Sequence, residues 1–183
     1  METTERSLIE RARDGDVDAF ARLVEEHRGV ALRVAYAIAG PDAEDVTQEA
    51  FIKAYRHLDR FRVQSAFRPW LLTIVANEAR NGRRSAGRRG NLALRVATRR
   101  EADAASAEDE ALRAAGRQVL LDAVAMLGDH DREIVALRFF AGLSEAEMAA
   151  ALDVPAGTVK SRLSRALARL RTALPESSGE VPA

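Results

Sequence analysis

Along most of the chain, apolar residues recur every three or four positions, the spacing that gathers them on one face of an α-helix. Set out at about 100° per residue, the stretch GTVKSRLSRALARLR (residues 157–171) brings Val159, Leu163, Ala166, Leu167 and Leu170 into one stripe, which Leu174 extends. Thr158, Ser161 and Arg165 fall opposite, with Arg162, Ser164 and Arg169 nearby. The same repeat predicts helices near residues 4–13, 17–39, 42–58, 67–84, 107–127, 131–141, 145–152 and 156–172. No stretch carries the sustained alternation, or the clustering of β-branched and aromatic residues, that a strand requires. The predicted fold class is therefore all-α.

The punctuation between helices agrees with this pattern. Gly40-Pro41 and Gly142 are helix stops. Ser144 followed by Glu147 is a capping box, in which each side chain satisfies an orphan backbone donor. Asp153 and Val154 break the short helix that follows, and Pro155 suits the first position of the next, where its missing N–H has no partner to lose. Two short helices joined by a tight turn, the second one basic, read as a helix-turn-helix, whose second helix directs its first residues into the major groove. Taken alone, the basic face of residues 157–171 reads equally well as an ordinary solvated surface.

Two helices in the first half carry unusual outer faces. In FRPWLLTIVANEARNGRR (residues 67–84), Leu71, Leu72, Val75 and Ala79 form a core face, while Trp70, Ile74, Asn77, Asn81 and Arg84 gather on the other side, flanked by Thr73 and Arg80. An indole, two amides and basic groups suit unpaired bases: the ring stacks, the amides read base edges, and the arginines between Arg80 and Arg89 neutralise phosphates. The competing reading places Trp70 in the core. In PDAEDVTQEAFIKAYRHLDRF (residues 41–61), the core face is Val46, Ala50, Phe51, Ala54, Tyr55 and Leu58. The outer face holds Asp42, Asp45, Gln48, Glu49, Lys53 and Arg56, with Ile52 among them. An acidic face repels DNA, so it is either a protein-docking surface or a solvated face with one stray Ile.

Charge changes the picture further. The 183 residues sum to zero net charge, yet residues 1–59 carry −5, 60–100 carry +10, 101–154 carry −8 and 155–183 carry +3. Two basic blocks alternate with two acidic ones, which suggests two contacts with an anionic polymer, each beside a surface that suits another partner or repels the polymer. The absence of Cys excludes disulfides and thiolate metal sites, and His27, His57 and His130 lack ligand-like spacing, so neither metal nor cofactor is expected. No stretch reaches the length of a membrane span and the N-terminus lacks a signal-peptide profile, which predicts a cytoplasmic protein with no membrane insertion. From about residue 85 to 106 the chain is rich in Ala, Arg and Gly with few large apolar residues, the composition of a flexible linker. The expected organisation is a helical domain over 1–90, a linker over 91–106, a second helical domain over 107–174 and a disordered tail over 175–183.

The succession of these segments resembles the extracytoplasmic-function group of bacterial sigma factors, the small two-domain promoter-specificity subunits of RNA polymerase. DAEDVTQEAFIKAY resembles the region-two segment that docks on the clamp helices of the largest polymerase subunit. FRPWLLTIVANEARNGRRSAGRR is similar to the segment that captures flipped non-template bases of the minus-ten element, and ALRFFAGLSEAEMAAALDVPAGTVKSRLSRALARLR to the region-four helix-turn-helix that reads the minus-thirty-five element. The resemblance implies core-polymerase contacts at Asp42, Asp45, Gln48, Glu49, Ile52, Lys53 and Arg56. It implies minus-ten contacts at Phe67, Trp70, Asn77, Arg80, Asn81 and Arg84, and minus-thirty-five contacts at Thr158, Lys160, Ser161, Arg162, Ser164 and Arg165. Asn81 stands where many members carry Asp, and Ala146 where an aromatic is common. The implied partners are core polymerase, through its clamp helices and β flap, promoter DNA and an anti-sigma factor. The implied chain lacks the extra regions of housekeeping sigma factors and any added C-terminal domain, so its regulation rests on partners.

Two other function classes compete with this expectation. A repressor or response-regulator output domain uses only the helix-turn-helix and leaves Trp70, Asn77 and Asn81 without a task. An enzyme such as a nuclease needs clustered carboxylates or histidines, and the sequence offers no such cluster.

Overall fold

The computed structural model describes residues 4–61, 66–89 and 107–174, with backbone alone for 84–89, 107–115 and 117. The expected linker over 91–106 and the tail over 175–183 lie outside the described residues. Those described form helices and turns, with no strand among them.

The first half comprises α1 (Glu5–Arg13), α2 (Val17–Ala39), α3 (Ala43–Arg56) and α4 (Phe67–Arg89). Gly15, at φ +92°, makes the turn into α2, and Asp16 caps that helix by accepting a 3.0 Å bond from the Ala19 N–H. Arg11 donates to the same carboxylate, and the cap bond and this guanidinium together hold the Asp16 carboxyl below its usual range. Gly40 takes φ +64°, a value that suits a residue without Cβ, and the 3-10 turn Gly40–Asp42 leads into α3. Where α2, α3 and α4 meet, Ala31, Ala35, Ala50, Ala54, Ala76 and Ala79 are fully buried. These small side chains let the backbones approach, while Leu23, Val34, Leu71, Leu72 and Val75 fill the space between them.

The second half comprises α5 (Ala107–Met126), α6 (Asp129–Val135), α7 (Glu145–Leu152) and α8 (Ala156–Ala173). Several boundaries differ from the sequence expectation. The 42–58 helix is shorter, ending at Arg56 before a separate 3-10 turn, Leu58–Arg60, that buries Leu58. The helix expected to stop at 84 continues to Arg89, through residues whose composition reads as linker. The 131–141 helix begins two residues early and widens after Val135 into a π-helical stretch, Ala136–Phe140, before Gly142 turns the chain at φ +70°. Pro155 is the N-cap of α8, at extended ψ 144°, and not its first helical residue.

The two halves pack together along α2 and α4, against α5, α6, the π-helical stretch and α7. Arg132 is the buried joint. Its guanidinium donates to the carbonyls of Val124, Ala125 and Leu127, closing the α5–α6 turn, and to the Ile38 carbonyl of α2 at 3.2 Å. Arg68 donates to the Ala141 carbonyl at 2.5 Å. The two expected helical domains are therefore in direct contact through their described residues.

Candidate nucleic-acid and partner interfaces

The helix-turn-helix is set by three local devices. Ser144 Oγ accepts from the Glu147 N–H at 3.2 Å while Glu147 Oε2 accepts from the Ser144 N–H at 2.8 Å, closing the capping box that starts α7. Bonds from the Ser144 backbone, then from its hydroxyl, hold the Glu147 carboxyl below its usual range. Asp153 ends α7 in the left-handed region at φ 51°, ψ 49°, and Thr158 N–H bonds the Pro155 carbonyl at 2.8 Å to start α8. Met148, Val159, Leu163, Ala166 and Leu170 lock the two helices together from inside.

That packing turns the opposite side of α8 to solvent. Lys160, Ser161, Ser164 and Arg165 are exposed, and Thr158 and Arg162 are half-buried. Ser161 Oγ donates to the Thr158 carbonyl, and Arg165 Nε to the Ser161 carbonyl at 3.2 Å, so both side chains lie along their own helix. Arg169 pairs with Asp131 and ties α8 to α6. The exposed set has the size and chemistry to enter a major groove.

On α4 the structure separates residues that the sequence grouped. Phe67, expected at the minus-ten contact, is 1% exposed and belongs to the core. Its ring lies 5.3 Å from His27, 5.6 Å from Phe61 and 5.5 Å from Trp70, centre to centre. Position 67 starts the helix on its inner side, and the aromatic serves as the floor on which the half-buried Trp70 rests, with Phe61 at 5.0 Å. Asn81 is exposed, and the Arg84 side chain lies outside the described residues. Asn77 Oδ1 accepts from Arg80 at 2.6 Å. Arg80 in turn pairs with Glu133 of α6 at 3.0 Å, and Arg83 with Asp129 at 2.7 Å. Glu133 is nearly fully buried. Burial pushes its carboxyl above the usual range, an effect opposed by Arg80, then by His130 and Arg162.

On α3, Asp42, Asp45, Gln48, Glu49, Ile52 and Arg56 are exposed. Lys53 turns toward α4 and pairs with Glu78 at 2.6 Å. Tyr55, expected in the core, is 39% exposed. It sits at the edge of the buried stripe and meets Phe20 of α2 with ring centres 4.8 Å apart. The two rings belong to an open groove between α2 and α3, with Val17, Val24 and Leu32 on one wall and Phe51 and Ile52 on the other. Sequence reading missed the α2 wall. Its one signal was Val17, a β-branched residue at the helix start, 66% exposed in the fold. In the second half Val119, Leu120, Met126 and Phe139 are exposed apolar side chains that the sequence did not single out.

The fold also brings together Glu5, Glu26 and His27, whose ligand-type atoms lie within 4.8 Å of one another. The buried His27 directs Nε2 at Glu5 Oε1, 3.0 Å away, so the imidazole already has a carboxylate partner.

A basic helix-turn-helix in one half, joined to a helical bundle with an indole-and-amide helix in the other, defines a DNA-binding protein of transcription. Residues 23–89 match the family model of sigma-70 region 2, and residues 117–170 that of sigma-70 region 4. The chain is 39% identical over 173 residues to the ECF RNA polymerase sigma-E factor of Escherichia coli K12, covering 89% of this chain and 90% of the relative. It is 35% identical over 172 residues to the sigma-E factor of Haemophilus influenzae, covering 89% and 91%. Among solved structures it is similar to CnrH in complex with the cytosolic domain of CnrY (TM-score 0.66, 28% identity, 92% and 95% covered). It is also similar to the sigma factor RpoE in complex with the anti-sigma factor NepR from Bartonella quintana (TM-score 0.63, 29% identity, 83% and 96% covered). The chain belongs to the extracytoplasmic-function group of the sigma-70 family. Members are non-enzymatic subunits that give RNA polymerase its promoter specificity.

Proposed function

We propose that this sigma factor docks on core polymerase through the exposed α3 residues Asp42, Asp45, Gln48, Glu49, Ile52 and Arg56 together with the Phe20–Tyr55 groove. Lys53 contributes through its hold on Glu78. The N-terminal turns of α8, with Thr158, Lys160, Ser161, Arg162, Ser164 and Arg165, read the minus-thirty-five duplex. Trp70, Asn77, Arg80, Asn81 and Arg84 capture the melted minus-ten strand, and Phe67 positions Trp70. The domain limits are those of the sequence reading: 1–90 for the melting domain and 107–174 for the duplex reader, with residues 91–106 between them. The chain has no catalytic residues and works in the cytoplasm with polymerase; no helix among the described residues is long and apolar enough to cross a membrane. The exposed apolar side chains of the second half, Val119, Leu120, Met126 and Phe139, suit a protein partner such as the β flap. An anti-sigma factor is a further partner, supported by the solved relative that is bound to one.

One observation carries this reading: two faces of different chemistry coexist, a basic one on α8 and an indole-and-amide one on α4. A duplex-binding regulator needs only the first. The test is in vitro transcription with purified core on a promoter library, then on matched duplex and pre-melted templates. An Arg bidentate contact to guanine contributes about 1–3 kcal/mol of discrimination, so Arg165→Ala is expected to lower output on both templates and to relax upstream preference. Asn77→Ala is expected to fail on the duplex and be rescued by the bubble, because unstacking a base costs a few kcal/mol that the bubble supplies. Rescue of Arg165→Ala alone reverses the assignment of the two faces, and core output independent of the chain removes the reading altogether.

A further inference from the structure

The aromatic floor beneath Trp70 continues into the first half and ends at a charge. Phe67 meets Trp70 with ring centres 5.5 Å apart and also meets His27 of α2 at 5.3 Å. Phe61 braces the pair, edge-on to Phe67 at 5.6 Å and 5.0 Å from Trp70. The His27 imidazole is buried, and its Nε2 lies 3.0 Å from Oε1 of Glu5, in the first turn of α1. A carboxylate only accepts, so Nε2 donates this bond. Glu5, His27, Phe67 and Trp70 thus form an unbroken line of contacts from α1 to the indole of α4.

His27 gives this line a fixed end. A phenyl ring at position 27 would fill the space beside Phe67 with no directional anchor, whereas the bond to Glu5 sets the orientation of an imidazole. Burying a polar ring is costly unless that bond is kept. In a close-packed interior, a ring of fixed orientation restricts the rings that rest on it, as a supporting shell does around a binding group. A second carboxylate, Glu26, has an oxygen within 4.8 Å of both partners, so the anchor has a reserve. The match to sigma-70 region 2 begins at residue 23, and Glu5 lies ahead of it.

We propose that Glu5 and His27 are positioning residues for base capture: Glu5 fixes the His27 imidazole, and His27, through Phe67, holds the Trp70 indole at the angle that an unstacked base meets. The proposal rests on the reading of α4 as the single-strand face. It makes α1 part of the base-capturing apparatus without placing any α1 residue on DNA.

Trp70 is the only tryptophan in the chain, so intrinsic fluorescence reports on that indole alone. Glu5→Ala combined with Glu26→Ala removes the anchor and its reserve. In the free full-length chain this variant should show stronger acrylamide quenching and faster local depolarisation of Trp70. With purified core, on a duplex promoter selected from the library, it should slow promoter opening about fivefold, less than complete loss of base stacking costs. Its binding to core in a pull-down should be unchanged. Glu5→Gln combined with Glu26→Ala keeps an acceptor for Nε2 and should restore both the fluorescence and the opening rate. Glu10→Ala combined with Glu25→Ala, the same charge change on the same two helices at exposed positions, should alter neither. His27→Phe, which keeps a ring but not the bond, should loosen Trp70 as the double alanine variant does. Trp70 fluorescence unmoved by both changes overturns the proposal. Slow opening accompanied by loss of core binding also overturns it, because the role is then one of general packing. If Trp70 loosens while opening keeps the parent rate, Trp70→Ala separates the two failures. Slow opening in Trp70→Ala refutes the positioning role alone, whereas opening at the parent rate means that the reading of the α4 face has failed.

Discussion

Ser144 shows how far a single residue can be read from sequence. Its role depends on a partner three positions away, and both halves of the reciprocal cap form in the fold. Replacing an N-cap serine by alanine costs about 1 kcal/mol, so Ser144→Ala should lower chain stability by that order in denaturant unfolding. The sign of the pH effect follows from the depressed Glu147 carboxyl. Its contribution is present above the unfolded-state value and is lost as pH falls through the lower folded value. An NMR titration should find Glu147 protonating at lower pH than a free glutamate, and Ser144→Ala should move it back toward the ordinary range. An unmoved midpoint would show that the cap does not hold the carboxylate. Phe67 marks the opposite limit: nothing in its neighbours along the chain distinguishes an aromatic that reads a base from one that supports Trp70, because His27 and Phe61 arrive from other parts of the chain.

At the scale of elements, periodicity separated buried from exposed faces well where a helix packs on one side. Val159, Leu163, Ala166 and Leu170 on α8, and Leu71, Leu72, Val75 and Ala79 on α4, are all buried as the repeat predicts. It misplaced Tyr55, which stands at the border of the α3 stripe, where an aromatic belongs to either side until a neighbour is present. The groove that Tyr55 forms with Phe20 changes the case for Ile52, which is 36% exposed at its rim and so continues an apolar strip rather than standing alone. Ile52→Asp should weaken binding to core polymerase by about 2 kcal/mol or more, the scale of an interface hot spot, with thermal unfolding of the free chain little changed. Core retention at unaltered strength in a pull-down would remove α3 from the docking surface.

For the whole molecule, the contact between its halves adds a contribution to the acid response that is opposite in sign to that of Glu147. Glu133 has its carboxyl raised by burial, so between the ordinary glutamate value and the raised one the folded chain holds a proton that the unfolded chain has released. Its relative contribution to stability is full below the ordinary value and is lost as pH rises through the raised one. Denaturant unfolding should show the parent chain gaining stability relative to Glu133→Gln as pH is lowered from neutral, with Arg80, His130 and Arg162 common to both proteins. A gain in the opposite direction would mean that pairing with Arg80 outweighs burial.

The sequence by itself determined the helices apart from some of their ends, the Ser144–Glu147 cap and the helix-turn-helix, because each arises from residues within a turn or two of one another. It was also sufficient for the family, since the motifs occur in order along the chain. Only the tertiary structure decided which charges meet. The −8 block read as a surface that suits another partner or repels an anionic polymer, yet two of its carboxylates close on Arg80 and Arg83, 53 and 46 residues away. Such pairings depend on how α2 and α4 present themselves to the second half, through Arg132 and the Ile38 carbonyl among other contacts, and no local pattern records that geometry.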